Sequence, residues 1–136
     1  MSPAGCLEPP PPGLLAGIEE FNAGAFFECH ETLEALWLAE SRPLRALYQG
    51  ILQIGVAFYH LRSERYRSVV MLLKRGMGYV QPFAPRCMGV DVAALLERAA
   101  GCLAEIQRLG PDRLSEFDWS LVPAIDAHSS NWKGSK

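Results

Sequence analysis

Leu44-Arg45-Ala46-Leu47-Tyr48-Gln49-Gly50-Ile51-Leu52-Gln53-Ile54-Gly55-Val56-Ala57-Phe58-Tyr59-His60-Leu61-Arg62-Ser63 is the most apolar stretch of the chain. Leu47, Ile51, Leu52, Ile54, Val56, Ala57, Phe58 and Leu61 leave it little polar face. A helix that is apolar almost all round must be covered on most of its surface. The stretch therefore reads as a central, buried helix from Leu44 to Ser63. Gly50 and Gly55 within it each cost about 1 kcal/mol relative to alanine, and glycine there signals close approach of another helix.

Outward from this helix the punctuation predicts its neighbours. Ser41-Arg42-Pro43 looks like a restart, with Ser41 or Arg42 near the cap and Pro43 in the first turn. Before it, a short helix from Leu14 to Phe21 and a second from Ala25 to Leu38 flank the break Asn22-Ala23-Gly24. After it, a helix from Tyr66 to Val80 ends at Gln81-Pro82-Phe83-Ala84-Pro85. A fifth starts near Asp91, a plausible N-cap, and stops at Gly110-Pro111. Asp112 to Val122 has room for one more helical turn. No β-branched run alternates with polar residues between turn signals. The fold expected is all-α, a single-domain bundle of about five helices around the central apolar one. Residues 1–12, with four consecutive prolines from Pro9, read as an extended, mobile leader. The helical domain takes residues 13–122, and 123–136 form a flexible tail.

The chain has 136 residues, enough for one hydrophobic core, with 49% hydrophobic and 21% charged residues. Its net charge of −2 and the absence of a Lys/Arg block argue against a nucleic-acid partner. Arg62, Arg65, Arg67, Lys74 and Arg75 read as solvated helix ends. No apolar run reaches the roughly 20 residues that span a bilayer, so no membrane partner is expected. The N-terminus shows no secretory pattern. Cys6, Cys29, Cys87 and Cys102 form no C-x-x-C pair and no zinc spacing. Free thiols in a reducing cytoplasm are the economical reading.

The chemistry concentrates in one run, Phe21-Asn22-Ala23-Gly24-Ala25-Phe26-Phe27-Glu28-Cys29-His30-Glu31-Thr32-Leu33-Glu34-Ala35-Leu36-Trp37. Its aromatic residues, Phe21, Phe26, Phe27 and Trp37, sit at helical spacing and read as core. His30 and Glu34 lie one turn apart on one face. On the central helix Gln49, Gln53 and His60 also share a face. Buried polar groups need partners, so the two stripes are most cheaply explained if they meet. The plainest reading of His30, Glu31, Glu34, Gln49, Gln53 and His60 is a buried, hydrogen-bonded network that fixes helix register. A His–carboxylate pair acting as general acid and base is a second reading, although no nucleophile is paired with it. A divalent metal held by His30, Glu34 and His60 is a third. His30-Glu31-Thr32-Leu33-Glu34 begins like the H-E-x-x-H zinc motif, but Glu34 replaces its second histidine. His60 lies about 16 Å along the axis from Gln49. If Gln49 or Gln53 is level with His30, the two histidines are too far apart to share an ion. No metal or other cofactor is therefore expected. Association, as a homo-oligomer or with a partner, is the leading function, and the metalloenzyme is the alternative.

F-N-x-G-x-F-F-E-x-H-E-x-L-E-x-x-W from Phe21 to Trp37, followed by Gln49-Gly50 opening a helix that ends at His60, resembles the DUF309 family of small all-helical bacterial and archaeal proteins. Pro85-Arg86-Cys87-Met88-Gly89-Val90-Asp91 is similar to that family as well, and the resemblance runs from about Leu14 to Leu109. Where members often carry a Gly/Asn-rich turn after the central helix, this chain has Ser63-Glu64-Arg65-Tyr66-Arg67-Ser68. The resemblance implies a helical bundle and gives weight to His30, Glu31 and Glu34. It implies no reaction and no substrate.

Overall fold

The computed structural model describes residues 3–127. Among them five α-helices carry the fold: α1 (Pro12–Asn22), α2 (Phe26–Ala39), α3 (Arg45–Arg62), α4 (Tyr66–Val80) and α5 (Val92–Leu109). α3 is the expected central helix. Leu47, Tyr48, Ile51, Ile54, Ala57, Phe58 and Leu61 are buried along it. It packs against α2 on one side and α4 on the other. Gly50 and Gly76 make the α3–α4 crossing possible. A Cβ on Gly50 would collide with the Val80 side chain and stand 2.8 Å from the Gly76 carbonyl oxygen. A Cβ on Gly76 would stand 2.7 Å from Ile54 and 2.9 Å from the Gly50 carbonyl.

The helix starts and stops follow local chemistry. Pro12 opens α1, where its missing N–H costs nothing. Gly24, at φ +78°, closes α1 in a left-handed turn that alanine would resist. The Ala25 N–H donates to the Glu20 carbonyl (2.8 Å) and the Gly24 N–H to that of Phe21 (3.0 Å), the Schellman pattern. Asp91 caps α5 as expected, its carboxylate accepting from the Ala94 N–H at 3.0 Å. α3 starts at Arg45 with Leu44 at the cap and no side-chain capping bond, so neither Ser41 nor Arg42 has that role. The Asp112–Val122 segment holds two short 3₁₀ turns in place of one helical turn.

Between α4 and α5 lies a short hairpin that no sequence pattern predicts. Strands β1 (Arg86–Cys87) and β2 (Val90–Asp91) form a hairpin. Met88 and Gly89 turn it, both with positive φ. Two-residue strands are too short to show alternation, so no pattern betrays them.

Both ends of the domain depart from expectation. The proline-rich leader is docked. Cys6 is buried and disulfide-bonded to Cys87 of the hairpin. The Cys6 carbonyl accepts the Met88 N–H at 2.7 Å, and Glu8 pairs with Arg42 at 2.8 Å. Cys6 and Cys87 are thus not free thiols; residues 81 apart in sequence meet only in the fold, so no spacing rule reveals the pair. Closing a loop of that length is worth about 4 kcal/mol on loop entropy. The start of the expected flexible tail is docked too. Asn22 accepts from the Ile125 N–H (2.7 Å) and donates to its carbonyl (3.0 Å), and Ala127 bridges to Val90. Ser129-Ser130-Asn131, Gly134 and Ser135, also assigned to the tail, lie outside the described residues, as does His128.

The two glycines of α4 should behave oppositely. Gly76→Ala overpacks the crossing and should lower stability by about 1–3 kcal/mol. Gly78→Ala meets nothing within 4 Å and should raise it by up to about 1 kcal/mol. Chemical denaturation of both variants checks the pair.

Candidate functional site

α2 and α3 run antiparallel, joined by the short link from Glu40 to Leu44. Phe27 stands beside Tyr59, ring centroids 6.2 Å apart, and at the other end Arg45 lies over the Trp37 ring at 4.6 Å. The core end of this pairing is aromatic. Phe21, Phe26 and Phe58 meet at 5.3–6.2 Å and tie α1, α2 and α3 together. Successive helical residues point about 100° apart. So Phe26 is buried at 3% exposure while Phe27 is 52% exposed. The expectation that Phe27 belongs to the core is corrected on that ground.

Above the aromatic core, Phe26, Phe27, His30, Val56, Tyr59 and His60 line a cavity of about 190 Å³. Antiparallel packing places Val56 opposite His30, and His60 one turn further along. The two histidines therefore share a site, contrary to the separation argued from a Gln49 or Gln53 register. Glu34 does not line this cavity. Larger, more open depressions lie along α1 and at the start of α4, and neither contains a predicted site residue.

The polar stripe does not form the expected buried network. His30, Glu34, Gln49, Gln53 and His60 are half-buried, and Glu31 is exposed. Among the described residues none of these side chains hydrogen-bonds another; His60 packs edge-on against Tyr59 at 5.8 Å. The Gln53 amide oxygen is covered and unpaired there. The physical reason is the position of the stripe at the edge of the α2–α3 groove, where its residues are half-buried and keep partial contact with solvent. Among the described residues no three or more His, Cys, Asp or Glu side chains are grouped to hold a metal ion. His30, Glu34 and His60 therefore do not make a three-ligand set. Cys29 offers no nucleophile: it is fully buried, and burial, then the nearby Glu20 charge, pushes its thiol up to about 12.

The most constrained polar residue of the run is Asn22, which pins the C-terminal segment from the end of α1. In the sequence Asn22 reads only as a helix breaker. Its partner lies 103 residues away, so only the motif's F-N-x-G spelling marked it. Gly24 also accepts from the Arg62 guanidinium, which stacks 4.9 Å from Phe26. The F-N-x-G part of the motif is thus architectural.

Residues 14–72 match DUF309, a domain of unknown function. Over that segment the chain is similar to the DUF309 family. The matched segment covers α1, α2, α3 and the first half of α4. Pro85 to Asp91 and α5 lie beyond it, so the resemblance expected to run to Leu109 is shown only as far as Leu72. The chain is also similar to the uncharacterized protein YpuF of Bacillus subtilis (strain 168), at 32% identity over 92 residues. That alignment takes 65% of this chain and 53% of YpuF, so the chain spans about half the length of this relative. No solved structure matches it.

Asn22→Ala leaves the backbone groups of Ile125 without partners and should cost about 1–3 kcal/mol. His30→Ala loses no hydrogen bond and should cost less. Thermal melts of the two variants, compared directly, check the order.

Proposed function

We propose that the protein acts by association, first with further copies of itself, through the face made by α2 and α3, and not by catalysis. The observation that carries this reading is the exposed aromatic rim of the His30–His60 cavity. Phe27 is 52% and Tyr59 43% exposed, and Leu38 on the same side of α2 is 66% exposed. Large apolar side chains gathered at one surface mark interaction sites more often than single scattered ones do. A half-buried histidine pair beneath an aromatic rim suits a packed interface, where aromatic groups anchor and polar groups orient.

The cytoplasm is the proposed setting. No helix among the described residues is long and apolar enough to cross a membrane. The Cys6–Cys87 bond pulls the other way, since disulfides persist mainly in oxidising compartments. Thiol titration of protein taken directly from its host decides between the two. A cytoplasmic pool held reduced should show four thiols after unfolding, and an oxidised one two.

Metal chemistry is the alternative, favoured only by His30 and His60 sharing a cavity that Glu34 does not line. One pair of measurements separates the readings: sedimentation across a range of concentrations, and elemental analysis of untagged protein. The association reading expects a mass above 15.0 kDa that returns to the monomer in Phe27→Ser/Tyr59→Ser, and metal below stoichiometry. A strict monomer with one equivalent of zinc, iron or manganese, lost in His30→Ala, overturns it.

A further inference from the structure

The outer faces of α2 and α4 are built on one spacing with opposite charge. On α2 the i, i+4, i+7, i+11 positions are Phe27, Glu31, Glu34 and Leu38, which fall within about 60° of arc. On α4 the same positions are Arg67, Met71, Lys74 and Gly78, with Arg75 beside them. Phe27, Glu31 and Leu38 are exposed on the first stripe and Glu34 is half-buried; all five α4 residues are exposed. Among the described residues, none of Glu31, Glu34, Arg67, Lys74 and Arg75 takes part in an ion pair or a side-chain hydrogen bond. Among the described residues the surface ion pairs lie elsewhere, at Arg42, Arg86, Arg108 and Arg113. An acidic stripe and a basic stripe, each with apolar residues and no partner of its own, complement one another.

Gly78 is the independent observation. It sits inside α4, exposed, and a Cβ there would meet nothing. Glycine at such a position costs about 1 kcal/mol relative to alanine, and nothing within the chain requires it. Gly76, two residues earlier, is explained by the α3 crossing; Gly78 is not.

Resting on the association reading above, we propose that the occupant of the α2 stripe is the α4 stripe of a second copy, packed antiparallel. In that register Phe27 lies over the flat surface left by Gly78, and Glu31 meets Lys74. Glu34 falls beside Met71, within a turn of Lys74 and Arg75, and the aliphatic stem of Arg67 covers Leu38. The contact joins two different surfaces on opposite sides of α3, so it is head-to-tail and links successive copies into a ring or an open chain.

Charge reversal tests the pairing on the full chain. Glu31→Lys/Glu34→Lys and Lys74→Glu/Arg75→Glu each place like charges opposite one another. Each variant alone should self-associate about a hundredfold more weakly than wild type. An equimolar mixture of the two should regain the complex, and high salt should weaken the wild-type contact. Gly78→Trp should block it with no change of charge. Circular dichroism and melting confirm that each variant folds. A wild-type protein that stays monomeric overturns the pairing, as does a mixture that fails to reassemble. If the charge variants associate like wild type while Tyr59→Ser does not, the stripes are not the contact but the α2–α3 face still is. If wild type is monomeric yet a basic amphipathic peptide binds the α2 stripe, the occupant is a different protein.

Discussion

The close crossing of α3 and α4 at Gly50 and Gly76 is the constraint on which the rest of the molecule depends. It lets the backbones approach until each glycine's missing side chain would overlap the other helix. Val69, Leu73 and Val80 of α4 can then cover one side of α3. The opposite side is closed by α2 and by the Phe21–Phe26–Phe58 cluster. With both sides covered, α3 buries nearly all its apolar surface, and each buried Leu, Ile or Phe is worth about 1.5–3 kcal/mol. On its open side Gln49, Leu52, Gln53, Val56 and His60 are half-buried and Tyr59 is exposed, and the candidate cavity lies at the Tyr59 and His60 end.

The described end segments are then fastened to this three-helix centre by few ties. The leader is held covalently through Cys6 and Cys87, and Gly5 lies against Leu44 at the start of α3. Arg42 gathers Glu40 and Glu8, and its hydrogen bonds hold the Glu40 carboxyl below the usual carboxylate range. At the other end Asn22 holds Ile125, and the Cys102 thiol donates to the Leu121 carbonyl at 3.2 Å. The hairpin is where both ends converge. β2 pairs with β1 on one edge, and Val90 and Asp91 reach the 126–127 segment.

The helices were legible because each announces itself over many residues: apolar periodicity in α3, Gly24 and Gly110 at helix ends, Asp91 as a cap. The docked leader was not, because four prolines specify an extended backbone and say nothing of what it lies against. The Cys6–Cys87 pair and the Asn22–Ile125 clamp join residues 81 and 103 apart, beyond the reach of any local pattern. At the candidate site the residues were partly legible and the geometry was not. His30 and His60 stood out by type. That they share a cavity without Glu34 depends on the antiparallel register of α2 and α3, and a shift of one turn would have paired His30 with Gln53 or His60 alone. Phe27 was misplaced because spacing alone does not tell the inner side of an aromatic run from the outer.

Native-state hydrogen exchange tests the central place of α3 most directly. If its burial organises the fold, amides from Leu47 to Leu61 should exchange only through global unfolding. Their protection should equal the free energy of denaturant unfolding and exceed that of α1 and α5. Amides of α3 that exchange as fast as those of α1 or α5 would contradict it.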